Sequence, residues 1–324
     1  MEDIYQNISN SSGITNEVSL GPGFTAFIVA LSMVLIAIIT IDGLMAITLL
    51  LSKSLPIPIR VLLVNLLVAS LMSAVIALSS LFEAVILSFS STVQPSLPFC
   101  RFILWGFHVA VEARLLGLVA FSMFVQRIVT HGSRKIGARW LILSLVATWA
   151  IATITRIDII APPIYGVEYV GGVACFPVGR NPKYEAIRLS YFFLWLAFAC
   201  CVPLLVCICV FLCTINYLKR HTISEGAQYK KAMSKFAAFL VTGNIVNVLG
   251  QAVPAIVSLT LSHIVGVYLA YTMYGLSLIP TPILIRAFLK PVRKHIQHLM
   301  CKKCLKDEDS GIVDEQINTQ IGTP

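Results

Sequence analysis

The sequence predicts an all-α fold, an integral membrane bundle of seven transmembrane helices followed by a short amphipathic C-terminal helix. Two observations carry that reading. Of 324 residues, 57% are hydrophobic and only 12% charged, with a mean hydropathy of +0.86. Soluble domains carry about 25% charged residues, so these charges are too few to coat a water-facing globule. The apolar residues also gather in blocks of roughly twenty or more, the length a helix needs to cross about 30 Å of hydrocarbon. Lipid offers backbone amides no partner, so such blocks fold as helices, and they lack the alternation of a membrane barrel.

The blocks place spans at 24–51, 59–88, 99–129, 140–160, 188–216, 236–261 and 264–289. The chain divides accordingly into an N-terminal tail, 1–23, a helical domain, 24–289, and a C-terminal tail, 290–324. Eighteen of the 24 Lys and Arg residues fall on one side of these spans. Five (Arg101, Arg156, Arg180, Lys183 and Arg188) fall on the other, and Arg114 lies inside span three. Cytoplasmic loops retain positive charge, so the N-terminus is expected outside the cell and the tail inside, at the plasma membrane. The net charge of +9 then reflects topology and contact with anionic lipid, not nucleic-acid binding.

The tail 1–23 lacks the basic start of a cleavable signal peptide, so span one is expected to act as its own insertion signal. Asn7 and Asn10 each begin a glycosylation sequon, and the topology puts both where glycans are added. Among nine cysteines, Cys100 and Cys175 fall outside the cell, where a disulfide persists; two independent thiols are the alternative. Cys200, Cys201, Cys207, Cys209 and Cys213 read as small apolar residues of span five. Cys301 and Cys304 follow a basic stretch containing apolar residues, which favours lipidation beside an interfacial helix over an unmodified tail. No second pair of ligands supports a zinc site, and no metal or other cofactor is implied.

Several spaced residues resemble the landmarks of rhodopsin-like G-protein-coupled receptors, over residues 24–300. Asn65-Leu66-Leu67-Val68-Ala69-Ser70 is similar to that family's Asn-Leu-x-x-x-Asp segment with Ser in place of Asp, and Asp42 stands where span one has Asn. Pro58, Trp149, Pro203, Pro254 and Pro282 match loop and helix landmarks, and Cys100 with Cys175 matches the outer disulfide. Thr281-Pro282-Ile283-Leu284-Ile285 resembles the Asn-Pro-x-x-Tyr end of span seven. The departures are equally specific. Gln126-Arg127-Ile128 replaces Asp-Arg-Tyr and lies about two residues farther from Cys100 than usual, which leaves the register of span three open. Span six lacks the Trp two residues before Pro254.

Charges in mid-span cost roughly 2.5–3.5 kcal/mol each on insertion scales, so they face the bundle and find partners. Asp42, Glu112 and Arg114 are such charges. With Cys100 setting the register, the resemblance puts Arg114 in the family's sodium pocket. One reading pairs Asp42 with Arg114, the guanidinium replacing the ion beside Ser70, Thr281 and Pro282. The other pairs Arg114 with backbone carbonyls or Glu83. Glu112 lies about 200° around the helix from Arg114 and shares a face with His108. Those two, with Tyr191, Gln251, Tyr271 and Tyr274, are candidate ligand contacts; a His108–Glu112 hydrogen bond and interfacial tyrosines are the alternative.

The resemblance implies a receptor for an unidentified extracellular ligand that activates a heterotrimeric G protein by population shift. Gln126 and Arg127 would face the G protein, with snorkelling of Arg127 at the interface as the alternative. Span seven has no Lys for a retinal Schiff base, and residues 102–111 offer no Asp for an aminergic ligand. A non-signalling seven-helix protein and, less well supported, a transporter are the rivals. No phosphate loop, nucleophile elbow or His-x-x-x-His pair suggests an enzyme.

Overall fold

A computed structural model describes residues 22–51, 57–89, 96–131, 137–157, 166–170, 174–178, 201–221 and 275–288, with isolated positions between 190 and 273. Helix α1 runs Pro22–Leu51, α2 Ile57–Phe89, α3 Leu97–His131 and α4 Ala138–Thr155. These are the four described helices long and apolar enough to cross a membrane. A two-stranded antiparallel hairpin follows, β1 Gly166–Val170 and β2 Ala174–Val178, and then α5 Val202–His221 and α6 Pro280–Phe288.

Pro22, Pro58 and Pro98 each sit in the first turn of α1, α2 and α3. A first-turn residue has no intrahelical partner for its N–H, so proline starts a helix there without loss. Pro203 is accommodated differently. Positions 197 and 201 are π-helical, and such a widened turn absorbs the missing donor. At the other end of α1, Arg60 of α2 donates from Nη1 to the Leu50 carbonyl at 3.3 Å, occupying an acceptor that the ending helix leaves open.

Helix α3 is the hub: it packs against α2, α4, α5 and both strands, while α1 packs on α2 and touches α6. Two apolar clusters form along this axis. One, at the hairpin end, joins Leu31, Leu35, Ile38, Ala74, Ala77, Leu81, Phe107, Val111 and Leu278. The other joins Met45, Leu49, Leu62, Leu63, Leu66, Leu67, Leu118, Phe121, Val125, Leu141 and Ile285. The outward sides of the helices stay apolar and exposed, as at Met33, Leu44, Phe82 and Ile154, which suits a lipid solvent.

The bundle is all-α as expected, and after α4 the chain adds the short β hairpin. Helix α4 ends at Thr155, where Arg156 leaves helical geometry (φ −114°, ψ 12°) and its N–H bonds to Thr153 O. The apolar block continues past this point, but the Arg156 side chain turns back toward α3.

Candidate functional site

Between the two apolar clusters each participating element contributes polar side chains. Asp42 lies between Ile38 and Met45 of α1, Ser70 between Leu67 and Ala74 of α2, Arg114 between Val111 and Leu118 of α3, and Thr281 between Leu278 and Ile285. Ser277, one turn before Thr281, joins them. Asp42, Ser70 and Arg114 are fully buried, and Ser277, Thr281 and Pro282 are buried too. The polar residues therefore form one layer across the bundle, walled off by apolar clusters above and below.

Arg114 anchors this layer to span seven. Its Nη1 donates to the Ser277 carbonyl and its Nη2 to Ser277 Oγ, both at a long 3.4 Å. Asp42 lies within electrostatic reach of Arg114 and beside Ser70. Even so, neither Asp42 oxygen, nor Ser70 Oγ, nor Arg114 Nε completes a hydrogen bond of good geometry among the described residues. Buried polar atoms left this way carry a desolvation cost of about 1–3 kcal/mol each. The layer holds a carboxylate and a guanidinium that feel each other without direct contact. Its tightest packing is at Gly250 of span six, where a Cβ would overlap the Ser277 side chain.

Glu112 is held by the end of α4, and His108 lies within electrostatic reach of the same Arg156. Arg156 Nε donates to Glu112 Oε2 at 2.7 Å, and Thr155 Oγ1 donates to Glu112 Oε1 at 2.8 Å. Both charged side chains are nearly inaccessible, so this is a buried ion pair joining α3 to the end of α4. His108 is half-buried one turn closer to the hairpin. The i and i+4 positions are offset by only about 40°, so His108 and Glu112 share a side of α3.

A second link between helices joins landmarks read in the sequence: Trp149 Nε1 donates to Asn65 Oδ1 at 2.9 Å, tying α4 to α2. Ser122 Oγ lies 3.1 Å from Cys207 Sγ, tying α3 to α5. Cys100 is fully buried and disulfide-bonded, on the stretch of chain that meets β2, the strand carrying Cys175.

The opposite end of α3 carries Val125, Gln126 and Arg127. Val125 is buried in the apolar cluster with Leu118, Phe121 and Ile285. Gln126 is half-buried, and Arg127 is exposed, its guanidinium 5.9 Å from the centre of the Trp140 ring. The inward place at this end of α3 thus goes to Val125. Asn7, Asn10, Tyr191, Gln251, Tyr271, Tyr274, Cys301 and Cys304 lie outside the described residues, as does the Cys175 side chain.

No family model matches the chain, and no curated protein sequence matches it. Solved structures do. The crystal structure of squid rhodopsin superposes with a TM-score of 0.70 over 91% of this chain and 85% of that one, at 12% sequence identity. The chain has the rhodopsin fold. At that identity the likeness shows the fold alone, a seven-helix membrane bundle. On the rhodopsin fold, the residues that sequence reading passed over are Ser277, Thr155 and Arg156. Two of them carried a signal: Ser277 stands four residues before Thr281 on the same face, and Arg156 lies within the apolar block 140–160.

Proposed function

We infer that this chain is a cell-surface receptor that binds an extracellular ligand and activates a heterotrimeric G protein. The observation that carries this reading is the polar layer of Asp42, Ser70, Arg114, Ser277 and Thr281 in a chain with the rhodopsin fold. Such a layer costs stability in its present form, since several of its buried polar atoms lack a partner of good geometry among the described residues. A rearrangement of the spans that brings Asp42 and Arg114 into contact would recover part of that cost. Ligand binding that favours one arrangement then shifts the population. In this reading Arg114 takes the place of a mobile cation.

The remaining assignments follow the same topology. The N-terminus is extracellular, with glycans at Asn7 or Asn10, and Cys100 pairs with Cys175 to hold the hairpin over the bundle. His108, Tyr191, Gln251, Tyr271 and Tyr274 line the ligand cavity, and Cys301 and Cys304 carry lipid. A ligand screen read by a broad G-protein dissociation sensor tests the proposal. Nucleotide-dependent dissociation that is lost in Arg114→Gln at equal surface expression supports it; no dissociation with any G protein across the screen counts against it.

One observation favours a second reading. Val125, an apolar residue, occupies the inward place at the end of α3, and Arg127 faces outward over Trp140. A ligand-binding or chaperoning protein without G-protein output fits that arrangement, and ligand binding without nucleotide exchange would select it.

A further inference from the structure

The end of α3 and the start of α4 lie side by side: α3 runs to His131 and α4 opens at Ala138. There the Arg127 guanidinium stacks over the Trp140 ring. Arg139, beside Trp140 in the first turn of α4, is exposed, as are Arg127 and Trp140. From Ala113 to Ile157 the sequence contains no Asp or Glu. This corner of the molecule is therefore cationic with no carboxylate nearby in sequence.

Below Trp140 an apolar track runs along α4. Trp140, Leu143, Ile151 and Ile154 are all exposed, and at about 100° per residue they fall within one narrow stripe. A patch with cationic and aromatic groups at the interface, continuous with an apolar stripe running into the hydrocarbon, has the two halves of a phospholipid site. Trp and Arg favour this level of a bilayer, and an Arg–Trp stack holds a guanidinium in place at the headgroups.

We propose that Arg127, Arg139 and Trp140 bind the headgroup of an anionic phospholipid whose acyl chain lies along Leu143, Ile151 and Ile154. Charge complementarity favours this occupant over a second copy of the chain, which would bring its own Arg127 and Arg139 against these. The site rests on the membrane placement of the proposed receptor and not on coupling to a G protein.

Native mass spectrometry of the full-length chain, with added phosphatidylserine or phosphatidylcholine, tests it. Wild type retains phosphatidylserine in preference to phosphatidylcholine. Arg127→Ala with Arg139→Ala weakens phosphatidylserine retention about 25-fold, roughly fivefold for each cation removed, and leaves phosphatidylcholine unchanged. Arg127→Lys with Arg139→Lys keeps most of the preference; should the alanine pair fail to fold, Arg139→Gln replaces it with an expected loss of about fivefold. Equal retention by wild type and the charge-removed variant overturns the proposal. So does a parallel fall in phosphatidylcholine, or a lipid-free dimer as the main species. No ligand or G protein is present in this measurement, so its failure is separate from failure of the receptor reading.

Discussion

Arg156 reaches back from the end of α4 to Glu112 in the interior of α3, with Nε and Oε2 2.7 Å apart and both side chains almost wholly enclosed. Thr155 completes the arrangement from the neighbouring position. Two charges this deep stabilise the fold only as a pair, since either one alone would be stranded.

Removing one partner is therefore expected to be severe. Glu112→Gln or Arg156→Ala should cost about 3–5 kcal/mol, read as a fall in thermal stability and surface expression. Replacing both with apolar residues, Glu112→Leu with Arg156→Met, should recover most of the loss. A double variant as unstable as the sum of the singles contradicts the pairing.

The junction of span six and span seven gives a second expectation. A Cβ at Gly250 overlaps Ser277, so Gly250→Ala should cost about 1–3 kcal/mol through overpacking and disturb the bonds from Arg114 to Ser277. Ser277→Gly should rescue the packing part. The contrast is Gly117→Ala, where a Cβ meets Leu66 Cδ2 at 2.9 Å and Asn65 Nδ2 at 3.2 Å; these are side-chain ends, and the smaller effect should appear in the same melting assay.

Trp149→Phe removes the donor to Asn65 Oδ1 and keeps an aromatic ring. Because Asn65 Nδ2 is already without a partner among the described residues, the substitution leaves both polar atoms of this half-buried amide without a described partner and should cost about 1–3 kcal/mol. Pairing it with Asn65→Leu should restore stability toward wild type in thermal unfolding. A Trp149→Phe protein that melts with wild type would show the bond to be idle.

For the polar layer, a double-mutant cycle on Asp42→Asn and Arg114→Gln should give a coupling of about 0.5–3 kcal/mol. Strict additivity in the melting temperatures would mean that the two charges are independent neighbours and that Asp42 plays no part in holding Arg114.

The axial features of the bundle were legible in the sequence because length and hydropathy encode them. Predicted starts and ends of spans one to three fall within two residues of α1, α2 and α3. The burial of Asp42, Ser70 and Arg114 follows from the sequence as well, since a polar group in an apolar block turns inward. Lateral relationships were not legible. In a chain where both the buried and the lipid-facing sides are apolar, hydrophobic periodicity does not distinguish them. The pairing of Glu112 with Arg156 and the outward aim of Arg127 therefore emerge only from packing. The hairpin was missed because its ten strand residues sit between long apolar blocks and carry no signal of their own at that scale.

Glu112 and Arg114 are separated by one residue and point about 200° apart, the former gripped by α4 and the latter by Ser277 of span seven. Like opposed stays on a mast, they resist twisting of α3 in either sense, because any sizeable turn must release both together in a medium with no water to replace them. Sliding along the helix axis or movement of the surrounding spans is opposed less. Mechanical change in this molecule is thus channelled into its neighbours while α3 keeps its heading.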